Sequence, residues 1–354
     1  REGQVRTLAQ RPMSDIPNQI VDTPIGSMGF KDFLDSDKST TMSIVILHEG
    51  DVVFEYYPNQ QPYEKPIYWS ATKALVAALV GILADRGQVD LTQPIRHYLP
   101  RLKDSDYANI TVRNLLDMAA GVNCPEEYFD QTSCYYKYSV TIGDGYWTQD
   151  SPDSPYDMLA SLKPGITAPQ GTQYQYSGVN AFILSWLVED IMNMPFQDAV
   201  SKEIWSKMGA ESDASILAPR YGVPIAHGGL LARSRDVARF GLLYTPSYTK
   251  ISDSQIISDR MIDLILNDKN PNLTLKTNKA GQLPPDFSHS GYLWDAVYTN
   301  DDFYRGGWAG QGLLINPTKD IVAVYTGYAI DPQESQPDLL PILRQVLNNV
   351  FSNQ

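Results

Sequence analysis

The chain has 354 residues, enough to bury a full hydrophobic core in one large unit or in several average domains. Its composition is that of a globular protein, with 43% hydrophobic and 19% charged residues. The formal net charge of −13 argues against a nucleic-acid partner, because nucleic acid is bound by lysine and arginine side chains, and against docking on anionic lipid. No apolar run approaches the ~18 residues that predict a membrane span.

The two cysteines, Cys124 and Cys134, lie close together in a polar, tyrosine-rich segment. They are too few for a zinc site, and the four histidines show no metal-ligand spacing. A disulfide between them would suit a periplasmic or secreted protein, as would a leader removed before Arg1, and two reduced thiols are the alternative. The possible disulfide and leader lead us to expect an exported protein. No phosphate-binding glycine loop is present, and we expect neither a metal nor another cofactor.

Strand and helix patterns recur along the whole chain. They predict a hairpin over residues 42–57, a buried helix over 70–87, a short helix over 111–120 and a loop segment over 121–167. Two further helices are predicted over 180–192 and 234–244, followed by a second hairpin over 312–328 and a final helix over 337–351. The hairpins turn at Glu49-Gly50-Asp51 and at Asn316-Pro317. Gly87 follows the apolar helix, and Thr111 is a suitable N-cap for the next one. Strands near both ends of the chain predict one sheet built from the two termini.

The buried helix begins with Ser70-Ala71-Thr72-Lys73, an S-x-x-K tetrapeptide. Residues i and i+3 share a helix face, so the Lys73 amine can reach the Ser70 hydroxyl. Burial lowers the pKa of a lysine, which can then accept a serine proton near neutral pH, and a helix N-terminus favours developing negative charge. The alternative is a serine N-cap followed by a lysine that extends to solvent.

The same tetrapeptide pattern occurs a second time, at Ser247-Tyr248-Thr249-Lys250. Turn residues surround this copy and no buried helix follows it, so it predicts an exposed loop. The pattern alone therefore does not identify a catalytic serine.

Two further motifs accompany the first tetrapeptide. Tyr176-Ser177-Gly178 precedes a predicted helix, and Trp308-Ala309-Gly310 precedes the last hairpin. In order and spacing the three motifs resemble those of the serine β-lactamase and penicillin-binding-protein superfamily. The similar branches are the class C β-lactamases, the DD-peptidases, the family VIII carboxylesterases and the 6-aminohexanoate-dimer hydrolases. The resemblance spans nearly the whole chain.

The resemblance implies a fold. It is an α/β fold of the α+β type, β-lactamase/transpeptidase-like, in which an antiparallel sheet with flanking helices stands beside a mainly helical lobe. We expect residues 1–354 to form a single catalytic unit. Residues 25–95 and 295–354 are expected to form the α/β lobe, and residues 96–294 the helical lobe.

The resemblance also implies catalytic roles for individual residues. Ser70 would attack a carbonyl carbon and form an acyl-enzyme, while Lys73 and Tyr176 share the proton transfers. The backbone N–H groups of Ser70 and Gln311 would form the oxyanion hole. No metal takes part, and the partner is a small-molecule ester or amide.

Two departures from the β-lactamase motifs concern the substrate-binding residues, which the resemblance places at Trp308, Gly310 and Asn180. Class C β-lactamases carry asparagine where this chain has Gly178. Asn180 either compensates for it or is a helix N-cap. Trp308 occupies the place of a lysine that attracts the carboxylate of the antibiotic, so efficient β-lactamase action is not expected.

The sequence thus predicts a serine hydrolase of small esters or linear amides, similar to carboxylesterases or 6-aminohexanoate-dimer hydrolases. A D-amino-acid peptidase or weak β-lactamase is the alternative enzyme, and a sensor that acylates without turnover is the alternative of another class. His227 reads as a packed histidine. The largely aromatic residues of the predicted loop segment form either a lip over the site or a surface flap. They are Cys124, Tyr128, Tyr135, Tyr136, Tyr146 and Trp147.

Overall fold

The computed structural model describes residues 3–149, 151–274, 283–330 and 339–352. The strands in these ranges are β1 (Ile20–Thr23), β2 (Gly26–Gly29), β3 (Thr41–His48), β4 (Asp51–Tyr56), β5 (Ser215–Ile216), β6 (Leu230–Leu231), β7 (Phe287–Gly291), β8 (Trp294–Tyr298), β9 (Phe303–Gly307), β10 (Gln311–Asn316) and β11 (Ile321–Gly327). The helices are α1 (Phe30–Leu34), α2 (Lys73–Asp85), α3 (Val112–Leu116), α4 (Cys134–Ile142), α5 (Pro155–Ala160), α6 (Gly178–Met192), α7 (Phe196–Val200), α8 (Ser234–Leu242), α9 (Asp259–Asn267) and α10 (Leu340–Val350).

A seven-stranded antiparallel sheet organises the molecule, in the order β4-β3-β11-β10-β9-β8-β7. Strand β3 from the first part of the chain pairs with β11 from the last part along its whole length. This pairing confirms the sheet that the sequence predicts from the two termini. Both predicted hairpins are present as β3-β4 and β10-β11.

The central strands are apolar on both faces because both faces are covered. In β3, Ile44 and Ile46 point into a core shared with α1 and α10, whereas Val45 and Leu47 point into the larger core that contains α2, α6 and α8. Each buried aliphatic side chain of this kind contributes about 1.5–3 kcal/mol. The sheet is therefore the middle layer of the molecule at this position.

Helix α2 is buried along almost its whole length, from Lys73 to Leu83, and packs against α6. This confirms the prediction of a central helix. Gly87 follows its end at φ +70°, a conformation that favours glycine, and donates its amide to the Ala84 carbonyl. Thr111 caps α3 through its side chain, as predicted, but α3 ends at Leu116 rather than at residue 120.

The predicted lobe boundary at residue 295 differs from the structure. Strand β7 lies before it and β8 begins at Trp294, so the boundary falls inside the sheet. Helix α8, within the predicted helical lobe, packs on β11 and β3 because its apolar face covers the sheet. Helix α2, within the predicted α/β lobe, packs in turn against α6.

The segment predicted as loops, residues 121–167, contains helices α4 and α5. The side chains of Ser133 and Ser154 cap them. The predicted last helix agrees with α10 at residues 340–350, and its expected start at residue 337 lies outside the described residues. None of the described helices is long and apolar enough to cross a bilayer.

A disulfide joins Cys124 to Cys134 at the start of α4. The structure thus selects the bridged alternative for these two residues. The bridge ties the beginning of the segment to its first helix, and Tyr135 and Tyr138 of that helix are buried in the large core.

Reduction of this disulfide should raise amide hydrogen exchange over residues 121–149 while β3 and β11 keep their protection. The bridge stabilises a short loop by about 2–4 kcal/mol, whereas the sheet does not depend on it. Exchange measured by mass spectrometry with and without reductant tests this. In the C124S/C134S protein the reductant should have no effect. Equal exchange of the native protein in both states would contradict the prediction.

Candidate active site

Ser70 lies in a 3₁₀ turn, Trp69–Thr72, and Lys73 is the first residue of α2. The Lys73 Nζ donates to Ser70 Oγ over 3.0 Å and to the His227 carbonyl over 2.9 Å. Trp69, directly before the serine, has φ +44°, which is a strained value for a bulky residue. The structure therefore places the amine in hydrogen-bond contact with the serine hydroxyl, as the i, i+3 spacing predicts.

Lys73 has no exposed surface. Burial lowers its pKa to about 7, and the charge of Arg305 lowers it further, while the carboxylates of Glu126 and Asp295 act in the opposite direction. The neutral amine that a general base requires is therefore present near neutral pH.

Tyr176 lies beside this pair, with the Lys73 Nζ 4.9 Å from the centre of its ring. Its phenol oxygen accepts a hydrogen bond of 2.5 Å from the Arg305 guanidinium. Burial raises the pKa of the phenol above its ordinary value, and Arg305 and the Ser70 hydroxyl both lower it. Ser70, Lys73 and Tyr176 thus form one contiguous group.

Arg305 of β9 is a member of this group that sequence reasoning did not assign. Its side chain is 1% exposed. Nε donates to the Ser70 carbonyl over 2.9 Å, and NH1 donates to the Leu293 carbonyl over 2.9 Å and to Asp295 over 2.6 Å. The only sequence signal was a lone arginine three residues before the Trp308 motif.

Glu126 is a second residue that sequence reasoning missed, and nothing in its polar loop singled it out. One carboxylate oxygen accepts the amide of Gly178 over 2.6 Å at the start of α6, and the other accepts the Tyr128 hydroxyl. A carboxylate at a helix N-terminus is favourable. Glu126 also faces Lys73 and Tyr176, whose pKa values its charge raises.

Gly178 has a steric reason to lack a side chain. A Cβ at this position would lie 2.7 Å from His227 Cδ2 and 3.0 Å from the Tyr135 hydroxyl. The space beside Gly178 that a side chain would need is thus occupied by these two residues.

His227 is packed, as the sequence predicts, and is 4% exposed. Its ring nitrogens lie 3.4 Å from the Tyr135 hydroxyl and 3.2 Å from the Tyr138 hydroxyl. Burial, and then the charge of Lys73, hold the pKa of the imidazole well below its ordinary value. The neutral ring fixes a loop whose carbonyl accepts from Lys73.

Trp308-Ala309-Gly310 forms the tight turn between β9 and β10, with φ +64° at Ala309 and +84° at Gly310. The Gln311 side-chain amide donates to the Gly327 carbonyl over 2.8 Å and so ties the start of β10 to the end of β11. A Cβ on Gly307 would lie 2.2 Å from the Tyr68 carbonyl. This end of β9 therefore lies against the chain just before Ser70.

The aromatic residues at the entrance are only partly covered. Trp308 is 51% exposed and meets Trp69 edge to face at 5.4 Å. Of the segment predicted as lip or flap, Tyr128, Tyr146 and Trp147 are exposed, whereas Cys124 and Tyr135 are buried.

Asn180 is neither exposed nor an N-cap. It is 1% exposed, it lies in the first turn of α6, and Ser177 is the N-cap residue, so the N-cap alternative is wrong. Its amide nitrogen contacts the Met118 sulfur at 3.6 Å. The structure does not show Asn180 in contact with Ser70, Lys73 or Tyr176.

The second S-x-x-K copy differs from the first. It forms a short 3₁₀ helix, Pro246–Lys250, in which Ser247 is buried, so the expected exposed loop is wrong. Ser247 donates to Asp320 and Lys250 to Asp51. Each side chain has its own carboxylate partner, so this serine has no lysine base.

In the described ranges, no three His, Cys, Asp or Glu side chains come together in a way that could hold a metal ion. Residues 30–327 match the sequence model of the Beta-lactamase family. The chain belongs to the β-lactamase family.

Three similar proteins are informative about this member of the β-lactamase family, one found by its sequence and two by their solved structures. The 6-aminohexanoate-dimer hydrolase of Paenarthrobacter ureafaciens is 26% identical over 298 residues, which are 84% of this chain and 74% of that protein. A solved Bacillus anthracis protein named after 6-aminohexanoate-dimer hydrolase shares the fold, with a TM-score of 0.78 at 21% identity over 99% of this chain and 89% of its own. EstCE1, a hydrolase with promiscuous acyltransferase activity, also shares the fold, with a TM-score of 0.64 at 14% identity over 89% of this chain and 95% of its own. The protein is a serine hydrolase with the β-lactamase/transpeptidase-like fold.

The rate of ester hydrolysis should fall as the pH decreases through about 7, the pKa to which burial lowers Lys73. Below that pH the amine becomes an ammonium ion and cannot accept the serine proton, so activity is present above about 7 and lost below it. The pH dependence of kcat/KM for p-nitrophenyl acetate measures this. Activity that stays constant down to about pH 5 would contradict the assignment of Lys73 as base.

Proposed function

We propose that this serine hydrolase cleaves small esters or linear amides through an acyl-enzyme on Ser70. The single observation that carries the proposal is the 3.0 Å contact between Ser70 Oγ and the buried Lys73 Nζ. A buried amine with its pKa lowered to about 7 can take the hydroxyl proton without a histidine.

The proposed reaction uses two proton transfers per step. Ser70 Oγ forms a bond to the carbonyl carbon while its proton passes to the neutral Lys73 amine, beside the Tyr176 phenol. The bond from that carbon to the leaving oxygen or nitrogen then breaks, and the leaving group takes the proton. Water repeats the sequence on the acyl-enzyme and releases a carboxylic acid. The N–H groups of Ser70 and Gln311 are proposed to stabilise the oxyanion, with Trp308 and Gly310 contacting the substrate.

The charges around Ser70 support an uncharged acyl group over a β-lactam. Trp308 offers no cation to a substrate carboxylate. Arg305 is 1% exposed and its guanidinium already contacts the protein at four places, so it does not substitute for the missing lysine. Glu126 is only partly buried and adds a negative charge on the same side as Tyr176. With respect to these described residues, an anionic substrate would meet repulsion from Glu126 without a cation at position 308 to compensate.

The relatives support the same range of substrates. One acts, by its name, on the dimer of 6-aminohexanoate, and another is a hydrolase with promiscuous acyltransferase activity. The disulfide between Cys124 and Cys134 supports a periplasmic or secreted location, since such bonds persist in oxidising compartments.

Ser70→Ala should abolish turnover, with a loss that approaches ~10⁶-fold, as is usual for removal of a nucleophile. Ser247→Ala is the matched control, because it alters the same tetrapeptide pattern without a lysine base, and it should retain wild-type activity. A serine-reactive phosphonate should label Ser70 in intact and peptide mass spectra. Label on another residue would refute the assignment. A single stoichiometric burst with no turnover would instead indicate a sensor.

Short-chain p-nitrophenyl esters should be hydrolysed with a kcat/KM at least ~10²-fold above that for a chromogenic cephalosporin, because the cephalosporin carboxylate lacks a partner. Trp308→Lys should narrow the gap by about 1–3 kcal/mol through a new charged hydrogen bond. Ile20→Lys is the control, since it adds the same charge at an exposed position on β1, and it should leave the ratio unchanged. A wild-type preference for the cephalosporin would contradict the ester proposal, and a D-Ala-D-Ala peptide in the same panel tests the peptidase alternative.

A further inference from the structure

Arg305 makes an unusual set of contacts for a charged residue. The side chain is buried, and its guanidinium reaches the Ser70 carbonyl, the Leu293 carbonyl, Asp295 and the Tyr176 phenol at 2.5–2.9 Å. A salt bridge with Asp295 alone would leave the other N–H groups free for any nearby acceptor. Here one of them contacts the residue that carries the proposed nucleophile, and another contacts the phenol that shares its proton.

The direction of the hydrogen bond to Tyr176 follows from the chemistry of the two groups. A guanidinium has five N–H donors and no acceptor, and it stays protonated in proteins. The phenol oxygen must therefore accept, and its own proton points away from Arg305. The other polar groups that interact with the phenol include the Ser70 hydroxyl and, beside the ring, the Lys73 amine.

We propose that Arg305 is a positioning residue of this hydrolase, which holds the Tyr176 oxygen on one side and thereby directs the phenol proton toward Ser70 and Lys73. The inference rests on the proposed function of these three residues and extends it to a fourth. Through Nε the same guanidinium fixes the Ser70 backbone, so that nucleophile and phenol are held by one rigid planar group.

Arg305 also acts through its charge. A permanent cation favours the phenolate form of Tyr176 and disfavours the ammonium form of Lys73, so it lowers the pKa of both groups. Asp295 raises the pKa of Lys73 and of Tyr176. Its second carboxylate oxygen accepts a hydrogen bond from the Gly306 amide over 2.8 Å. The other titratable groups that face the phenol, the amine or the guanidinium include Glu126, Tyr128, Tyr174 and the neutral His227.

The test is the pH dependence of Ser70 phosphonylation, followed by intact mass, in wild type, Arg305→Met, Arg305→Lys and Asp295→Asn. In this pH profile the acid limb is the fall in labelling rate at low pH. Arg305→Met should move the acid limb to higher pH by ~1–2 units, because loss of a positive charge raises the pKa of Lys73 and of Tyr176. It should also lower the plateau rate by about 10²-fold through lost alignment. Arg305→Lys should keep the limb near its wild-type position and lower only the plateau, since one ammonium cannot span the four acceptors.

Asp295→Asn gives a shift of opposite sign. It removes a negative charge, so the acid limb should move to lower pH. Where Arg305→Met fails to fold, Arg305→Lys decides the question through its lowered plateau rate. Arg344→Met is the matched control, because Arg344 is also a largely buried arginine paired with carboxylates, Asp286 and Asp302, on the far face of the sheet. It should change thermal stability and leave the limb in place.

The outcomes separate this inference from the proposed function. A wild-type protein that forms no Ser70 adduct at any pH would overturn the proposed function and the inference with it. A labelled wild type with the same limb in Arg305→Met and Asp295→Asn would overturn the inference alone, since a purely structural arginine changes the plateau without moving the limb.

Discussion

The burial of one lysine amine is the constraint on which the rest of the site depends. Moving an unpaired ammonium from water into an apolar interior is costly, so a buried lysine becomes neutral or acquires partners. Lys73 does both, with its pKa lowered to about 7 and with Ser70 Oγ and the His227 carbonyl as acceptors. Each acceptor needs its own support. The serine stands on a strained turn, and the histidine loop is held by two tyrosines of a helix that begins at the disulfide.

The charges near that amine are arranged so that cations face inward. Arg305 is enclosed and neutralised in part by Asp295, while the carboxylates of Asp295 and Glu126 are both only partly buried. The two carboxylates raise the pKa of Lys73 and Tyr176, and the guanidinium lowers them. The pKa values of Lys73 and Tyr176 therefore depend on opposing charges as well as on burial. Within the part of the chain that the structure describes, Trp308 stands where the β-lactamase motif has a lysine, and this is the chief difference from that motif.

The sequence predicted what depends on short-range pattern. The two hairpins, α2, the Thr111 cap and the Ser70–Lys73 contact follow from apolar runs, from turn and cap residues or from i, i+3 spacing, and the structure contains each of them. Helices α4 and α5 lacked a clear apolar period, although Ser154 followed by Pro155 is a usable start signal. The packing of α8 on the sheet could not be predicted, because an amphipathic helix does not reveal which surface it covers. The contacts of Arg305 with Tyr176 and of Glu126 with Gly178 could not be predicted, because each joins residues more than 50 positions apart in the chain.

The pairing of β3 with β11 has a consequence for synthesis. During synthesis from the N-terminus, the chain carries β3, β4, Ser70 and α2 long before β9, β10 and β11 exist. Until then one edge of β3 has no partner, and such an edge is a template for association with other chains. The guanidinium that joins the Ser70 backbone to the phenol arrives equally late. The nascent protein is thus chemically incomplete until nearly its whole length is available, and premature termination yields a fragment with a serine and a lysine but without the strands that complete the cleft.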